Sequence, residues 1–162
     1  MRTFVTRVRV APPLLTALVL VLSAIASGPV AATEPVPAAL LKISSGSVRI
    51  ERAGAVLDGQ VGLALYPADV VVTGPDGSAG MTFDDNSRLS LGPSSRYAID
   101  RFEFNRATYQ GAFQSTLSKG RLAIVSGKIA KQGVDQMQVH TPTSILGVRG
   151  TEFVVQVEGD HP

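Results

Sequence analysis

The chain has 162 residues, with 15 lysines and arginines against 13 aspartates and glutamates, two histidines, and neither cysteine nor tryptophan. The missing cysteines exclude a disulfide framework and a lipidated N-terminal cysteine. The formal charge of +2 depends on Arg2, Arg7 and Arg9; without them 12 basic residues face 13 acidic ones, giving −1, and no basic run remains to neutralise a row of phosphates, so nucleic acid is not an expected partner.

The same three arginines precede an uncharged apolar run from Leu14 to Ala26, and small residues ending in Val30-Ala31-Ala32 have the form of a cleavage site. Residues 1–32 therefore read as a secretory signal peptide. The run falls short of the roughly 20 residues that cross a bilayer, so a retained anchor is the lesser reading and no span is expected in the mature chain. About 130 residues follow, enough for one domain with a normal core. The expected division is signal peptide 1–32, linker 33–41, β domain 42–158 and tail 159–162, with a periplasmic or secreted location.

From Leu40 onward the patterning is β. Val48 and Ile50 alternate with Arg49 and Glu51, and Val61, Leu63 and Leu65 alternate with smaller residues. Val70-Val71-Val72 is a short apolar run closed by the turn signal Gly74-Pro75-Asp76-Gly77. Ala79, Met81 and Phe83 share a face with Leu89 and Leu91 across Asp84-Asp85-Asn86-Ser87, which predicts a hairpin whose acidic residues form the turn. Tyr97 and Ile99 have the opposite parity from Phe102 and Phe104, so a bulge or corner is expected near Asp100-Arg101. Phe113, Ser115 and Leu117 predict one strand; Ser118-Lys119-Gly120 leads into another through Leu122 and Ile124, ended by Ser126-Gly127-Lys128.

The last block, MQVHTPTSILGVRGTEFVVQV, places Met137 and Val139 opposite Gln138 and His140, then Phe153, Val155 and Val157 opposite Glu152 and Gln156. Thr141-Pro142 should end the first of these strands, and Gly147 and Gly150 should allow a sharp turn around Arg149. With 16 glycines, 10 prolines and no helical periodicity past the leader, the chain is expected to be an all-β single domain. An antiparallel β-sandwich or jelly-roll-like arrangement is the first reading and a short β-solenoid the alternative.

The motifs occur in an order that resembles the FecR domain family. Gly46-Ser47-Val48 opens the series. Asp69-Val70-Val71-Val72-Thr73-Gly74 is similar to the family's GD-x-x-x-TG block, and Phe83-Asp84-Asp85-Asn86-Ser87 to F-x-DGS. Gly120 begins a G-x-L-x-x-x-SGK run containing Gly127 and ending at Lys128, and Thr141-Pro142-Thr143 with Gly147-Val148-Arg149-Gly150-Thr151 closes it. Ala68 replaces the glycine usual before Asp69, and Asn86 the glycine of DGS; alanine is disfavoured there only if the position needs positive φ. The resemblance implies an exported β domain that binds protein. The sigma-factor regulators of the family resemble a cytoplasmic segment, a membrane helix and a periplasmic domain in series; with a leader in place of the first two, contact with a cytoplasmic sigma factor is not expected.

The chemistry is sparse. His140 is the sole internal candidate base, but it lies on the polar face of a strand, where an exposed or turn-bonded histidine is the plainer reading. Asp160-His161 offers two ligands where catalytic zinc usually takes three. Asp84-Asp85-Asn86 lacks the spacing of a calcium loop. Asp69, Asp84, Asp85, Asp100 and Glu152 could supply a carboxylate pair for glycoside hydrolysis, but turn formation and ion pairing explain them more simply. Arg149, with five fixed donors, is expected to act as a buried clamp. The leading expectation is a non-catalytic envelope module without cofactor or metal that binds an envelope protein or surface polymer; a carbohydrate-active or other hydrolytic jelly roll is the alternative, and a scaffold with pairing strand edges a third reading.

Overall fold

A computed structural model of the protein describes residues 35–150 and 152–158. The expected signal peptide, Thr151, Asp160 and His161 lie outside the described residues. Twelve strands follow one another: β1 (Ala39–Ser45), β2 (Val48–Arg52), β3 (Ala55–Asp58), β4 (Ala64–Leu65), β5 (Val70–Thr73), β6 (Ser78–Phe83), β7 (Arg88–Leu91), β8 (Arg96–Phe104), β9 (Gly111–Val125), β10 (Met137–His140), β11 (Ile145–Gly147) and β12 (Glu152–Val157). Among the described residues the one helical element is the 3-10 turn Ile129–Lys131. The chain is an all-β single domain, as its patterning implies.

All strands belong to one curled sheet ordered β3-β2-β5-β8-β9-β7-β6-β1-β4, with β10, β11 and β12 added on the second side of β9. Every ladder is antiparallel except β10 on β9. The residues before Gly120 pair with β8 and β10, and those from Gly120 onward pair with β7 and β12. The two sandwich layers are thus two wings of a single sheet sharing β9. Leu41, Met81, Phe83, Leu89, Leu122 and Ile124 from one wing and Ile50, Val71, Tyr97, Ile99, Phe113 and Val139 from the other belong to one buried core. Phe83, Phe102 and Phe113 meet there with ring centroids 4.4 to 5.3 Å apart, in tilted and edge arrangements.

The bulge expected near Asp100 is present: Ile99 faces Ser115 and Arg101 faces Gln114, leaving Asp100 unpaired in the ladder and returning the phenylalanines toward the core. The hairpin from Ala79 to Leu91 has the expected faces, with Asn86 at φ 69° in its turn. Three expectations need correction. Ser118-Lys119-Gly120 does not separate two strands, because β9 runs unbroken for 15 residues and bends at Gly120, where φ is 92°. Val61 is exposed in a turn with Gly62 at φ 91°, and only Ala64 and Leu65 of that segment form a strand, so its alternation reflects a turn between β3 and β4. Ala39, Leu40 and Leu41, expected in the linker, belong to β1, where Ala39 and Leu41 are buried.

Candidate functional site

Three groups of motif residues form hydrogen-bonded knots inside the fold. Asp69, at the start of β5, is 1% exposed. Its carboxylate accepts from Arg52 Nε and Nη2 at 2.8 and 2.7 Å and from Tyr66 N–H at 2.8 Å. Arg52 also donates to the Ala64 carbonyl at 2.7 Å and lies 4.6 Å above the Tyr66 ring, so one guanidinium ties β2, β4 and the entry to β5 together. Its pKa is raised, first by the hydrogen bond to Asp69 and with desolvation opposing.

Thr73 and Gly74 end β5 at a crossing of turns. Thr73 Oγ1 donates to the Gly92 carbonyl at 2.7 Å and accepts from Ser95 N–H at 2.9 Å, while Gly74 N–H donates to the Ser47 carbonyl at 2.8 Å. Ser95 Oγ in turn donates to the Gly92 carbonyl and accepts from Arg121 N–H, seating the Gly92–Ser95 turn in the bend of β9. A Cβ at Gly120 would overlap Ser95, so the bend needs glycine for space as well as for φ.

The third knot joins two motif blocks about 40 residues apart. Asp85 is fully buried, and its carboxylate accepts from Ser87 N–H at 2.9 Å, Ser87 Oγ–H at 2.8 Å and Ile129 N–H at 3.2 Å. Ser87 Oγ accepts from Gly127 N–H at 2.9 Å, and Lys128 N–H donates to the Asp85 carbonyl at 2.9 Å. Gly127 lies so close to this turn that a Cβ would overlap the Asp85 carbonyl. Asp85 therefore does more than form its own turn: it fixes the exit of β9. Beside these knots, burial pushes the Tyr97 phenol pKa up; its hydroxyl lies beside Ser115, yet neither oxygen has a well-aligned partner among the described residues.

The closing block behaves differently. Met137, Val139 and Val148 are buried, with Val148 N–H donating to the Met137 carbonyl at 2.9 Å. Thr141 turns the chain through bonds between its backbone and hydroxyl and Ser144, with exposed Pro142 between them. Gly150 has φ 59°, as the expected turn requires, but Gly147 is needed for a different reason: a Cβ there would meet the Val134 carbonyl at 2.9 Å. Arg149 is exposed and makes no hydrogen bond or ion pair among the described residues. The clamp expected there is corrected, since the residue this turn buries is Val148.

The other expected polar residues are exposed or half-buried, and none of them is drawn into the knots. Asp84 forms a bidentate pair with Arg106 at 2.6 and 2.8 Å, and Asp100 accepts from Thr116 Oγ1 at 2.7 Å. Glu152 is exposed and has no ion pair among the described residues, so the ion pairing expected for it is absent there. His140 is half-buried beside Gln138, 3.5 Å from its Oε1. No group of three histidine, aspartate or glutamate side chains placed for a metal is found among the described residues.

An open groove of about 700 Å³ adjoins the closing block, lined by Ser118 and Lys119 of β9, the Thr141–Ser144 turn, Leu146, and Val155–Glu158. It lies where the edge of β9 opposite β8 has no partner between the last contact with β10, at Thr116, and the first with β12, at Gly120. The groove brings Thr141 and Pro142 to a surface, whereas Asp69, Thr73, Asp85 and Gly127 are buried elsewhere. Arg52 and Ser95 are essential parts of the knots that motif reading did not single out, and Ser87 enters that reading only as part of the Phe83–Ser87 block. Ser87 had a signal in its place two residues after Asp85; Arg52 and Ser95 had none, because their partners are distant in sequence.

The family model described as FecR protein matches residues 69–162, more than half of the chain. This chain belongs to the FecR family. The match begins at Asp69, so the Gly46-Ser47-Val48 block precedes it, although β1 to β4 complete the same sheet as the FecR-matched strands. No curated protein and no solved structure matches this FecR chain.

Proposed function

We propose that the protein is a non-catalytic FecR-type module of the cell envelope, exported by its leader, that acts by binding an envelope protein or surface polymer in a regulatory or scaffolding role. The observation that carries this reading is the use to which the motif residues are put. The carboxylates of Asp69 and Asp85 and the hydroxyl of Thr73 are buried and engaged by internal donors and acceptors. A group held this way has its hydrogen-bonding positions and its geometry committed inside the fold, which suits a structural role and not proton transfer or nucleophilic attack. Among the described residues no helix is long and apolar enough to cross a membrane.

The groove beside Thr141–Ser144 is the concave surface best placed to take a partner, having both polar side chains and the open flank of β9. The test is affinity capture from an envelope extract with the immobilised protein, alongside a groove variant carrying Thr143→Arg and Lys119→Glu. Retention of a defined partner by the native protein and its loss with the variant supports the reading. Turnover of a glycan or peptide by the pure protein, abolished by Asp84→Asn or Glu152→Gln, overturns it.

A further inference from the structure

Sheet edges in natural proteins are usually shortened, bent away or charged, because their free N–H and C=O groups pair with any extended chain. In this sheet β4 is two residues long, β11 three and β3 four. The outer edge of β12 is different: it is six residues long, contains no proline or lysine, and pairs only with β9 among the described residues. At its centre Val154 is 61% exposed on the outward face, between exposed Glu152 and Gln156. On the inward face Phe153 and Val157 are only partly covered.

We propose that β12 is a self-association edge, pairing antiparallel with β12 of a second copy about a two-fold axis through Val154. The register follows from parity and charge. Pairings centred between residues would set core-facing side chains against outward-facing ones. Centring on Val155 would place Glu152 opposite Glu158, setting like charges against each other. Centring on Val154 places the two Val154 side chains together, Phe153 opposite Val155 of the second copy, and Glu152 of each copy opposite Gln156 of the other.

This register also supplies a charge partner. Arg121 on β9 faces Gln156 in the ladder and donates to its Oε1 at 2.8 Å. In the dimer Arg121, Gln156 and Glu152 of the second copy lie in one row, so the guanidinium has a carboxylate two strands away. The fold already contains a pair with this reach, since Arg96 on β8 crosses β5 to bind Glu51 on β2 at 2.7 and 2.8 Å. Two such rows, related by the two-fold axis, flank the apolar centre and make the interface isologous. The inference is separate from the partner-binding reading, because its readout is association of the protein with itself.

The experiment is sedimentation velocity of the purified protein between about 1 µM and 1 mM. A concentration-dependent monomer–dimer equilibrium is expected. Val154→Lys should abolish the dimer while leaving the circular dichroism spectrum and Tm of the monomer intact, because the side chain is exposed. Glu152→Arg and Arg121→Glu should each weaken association about tenfold or more, and the double variant, with the charges exchanged, should restore it. A monomer throughout the range, a dimer untouched by Val154→Lys, or a double variant no better than the singles would each overturn the proposal.

Discussion

Ala68 is the residue at which this chain departs most consequentially from its family pattern. Its φ is 72°, a left-handed conformation that costs a residue with a Cβ about 1 to 2 kcal/mol. The conformation is imposed from both sides, by Ala68 N–H donating to the Ile99 carbonyl at 2.7 Å and by the buried carboxylate of Asp69. Ala68→Gly should therefore raise stability by about 1 kcal/mol, read as a higher urea midpoint with unchanged m. The need for glycine at this position was conditional in the sequence and is decided by the backbone. Arg149 gives the opposite lesson. Its flanking glycines mark a turn, but the direction of its side chain depends on which neighbour the core takes, and the core takes Val148. Arg149→Ala should change stability by no more than about 0.5 kcal/mol, measured by the same titration; a larger loss would restore the clamp.

At the scale of elements, period-two alternation identified the strands that have a core on one side. It also identified the Asp100 bulge, because a parity change must be absorbed somewhere. It failed for Val61 to Leu65, where apolar alternation falls on a turn, and at Gly120, where a glycine that ends many strands instead bends one. A bent strand and a broken one have the same local sequence; the difference lies in Ser95, 25 residues earlier in the chain. Across the outer face of β2, β5 and β8, the hydrogen-bonded Arg96 guanidinium holds the Glu51 carboxyl below its ordinary value, with desolvation opposing. A lowered folded-state pKa gives a contribution present above the unfolded pKa and lost as pH falls through the folded one. The difference in Tm between the native protein and Glu51→Gln should accordingly be constant near neutrality and disappear on acidification below the ordinary carboxylate range. Because both side chains are well exposed, it should also shrink with added salt.

For the whole molecule, the decisive question is where the cooperative unit begins. The expected division starts the domain at residue 42, with β patterning read from Leu40, since the prolines and alanines through Ala39 show no periodicity. The structure places Ala38, Ala39 and Leu41 in the core, all three at most 4% exposed. β1 bridges β6 and β4, and Ala38 N–H and Leu41 N–H donate to the Leu65 and Leu63 carbonyls at 2.8 and 3.0 Å. Their burial was invisible in the sequence because two small alanines and one leucine carry no strand signal until β6 lies beside them. Removing one fully buried leucine typically costs about 2 to 5 kcal/mol, a large part of the stability of a single domain. Here the loss would also remove two alanines and leave the Met81–Phe83 end of β6 without its β1 partner. A chain starting at residue 42 should therefore lie several kcal/mol below one starting at residue 35, with its urea transition shifted to near zero denaturant or absent. The family match, which begins at Asp69, makes the contrast sharper. If the FecR-matched region were self-sufficient, both chains would unfold at the same midpoint; if the sheet folds as one unit from β1, only the longer chain will show a cooperative transition.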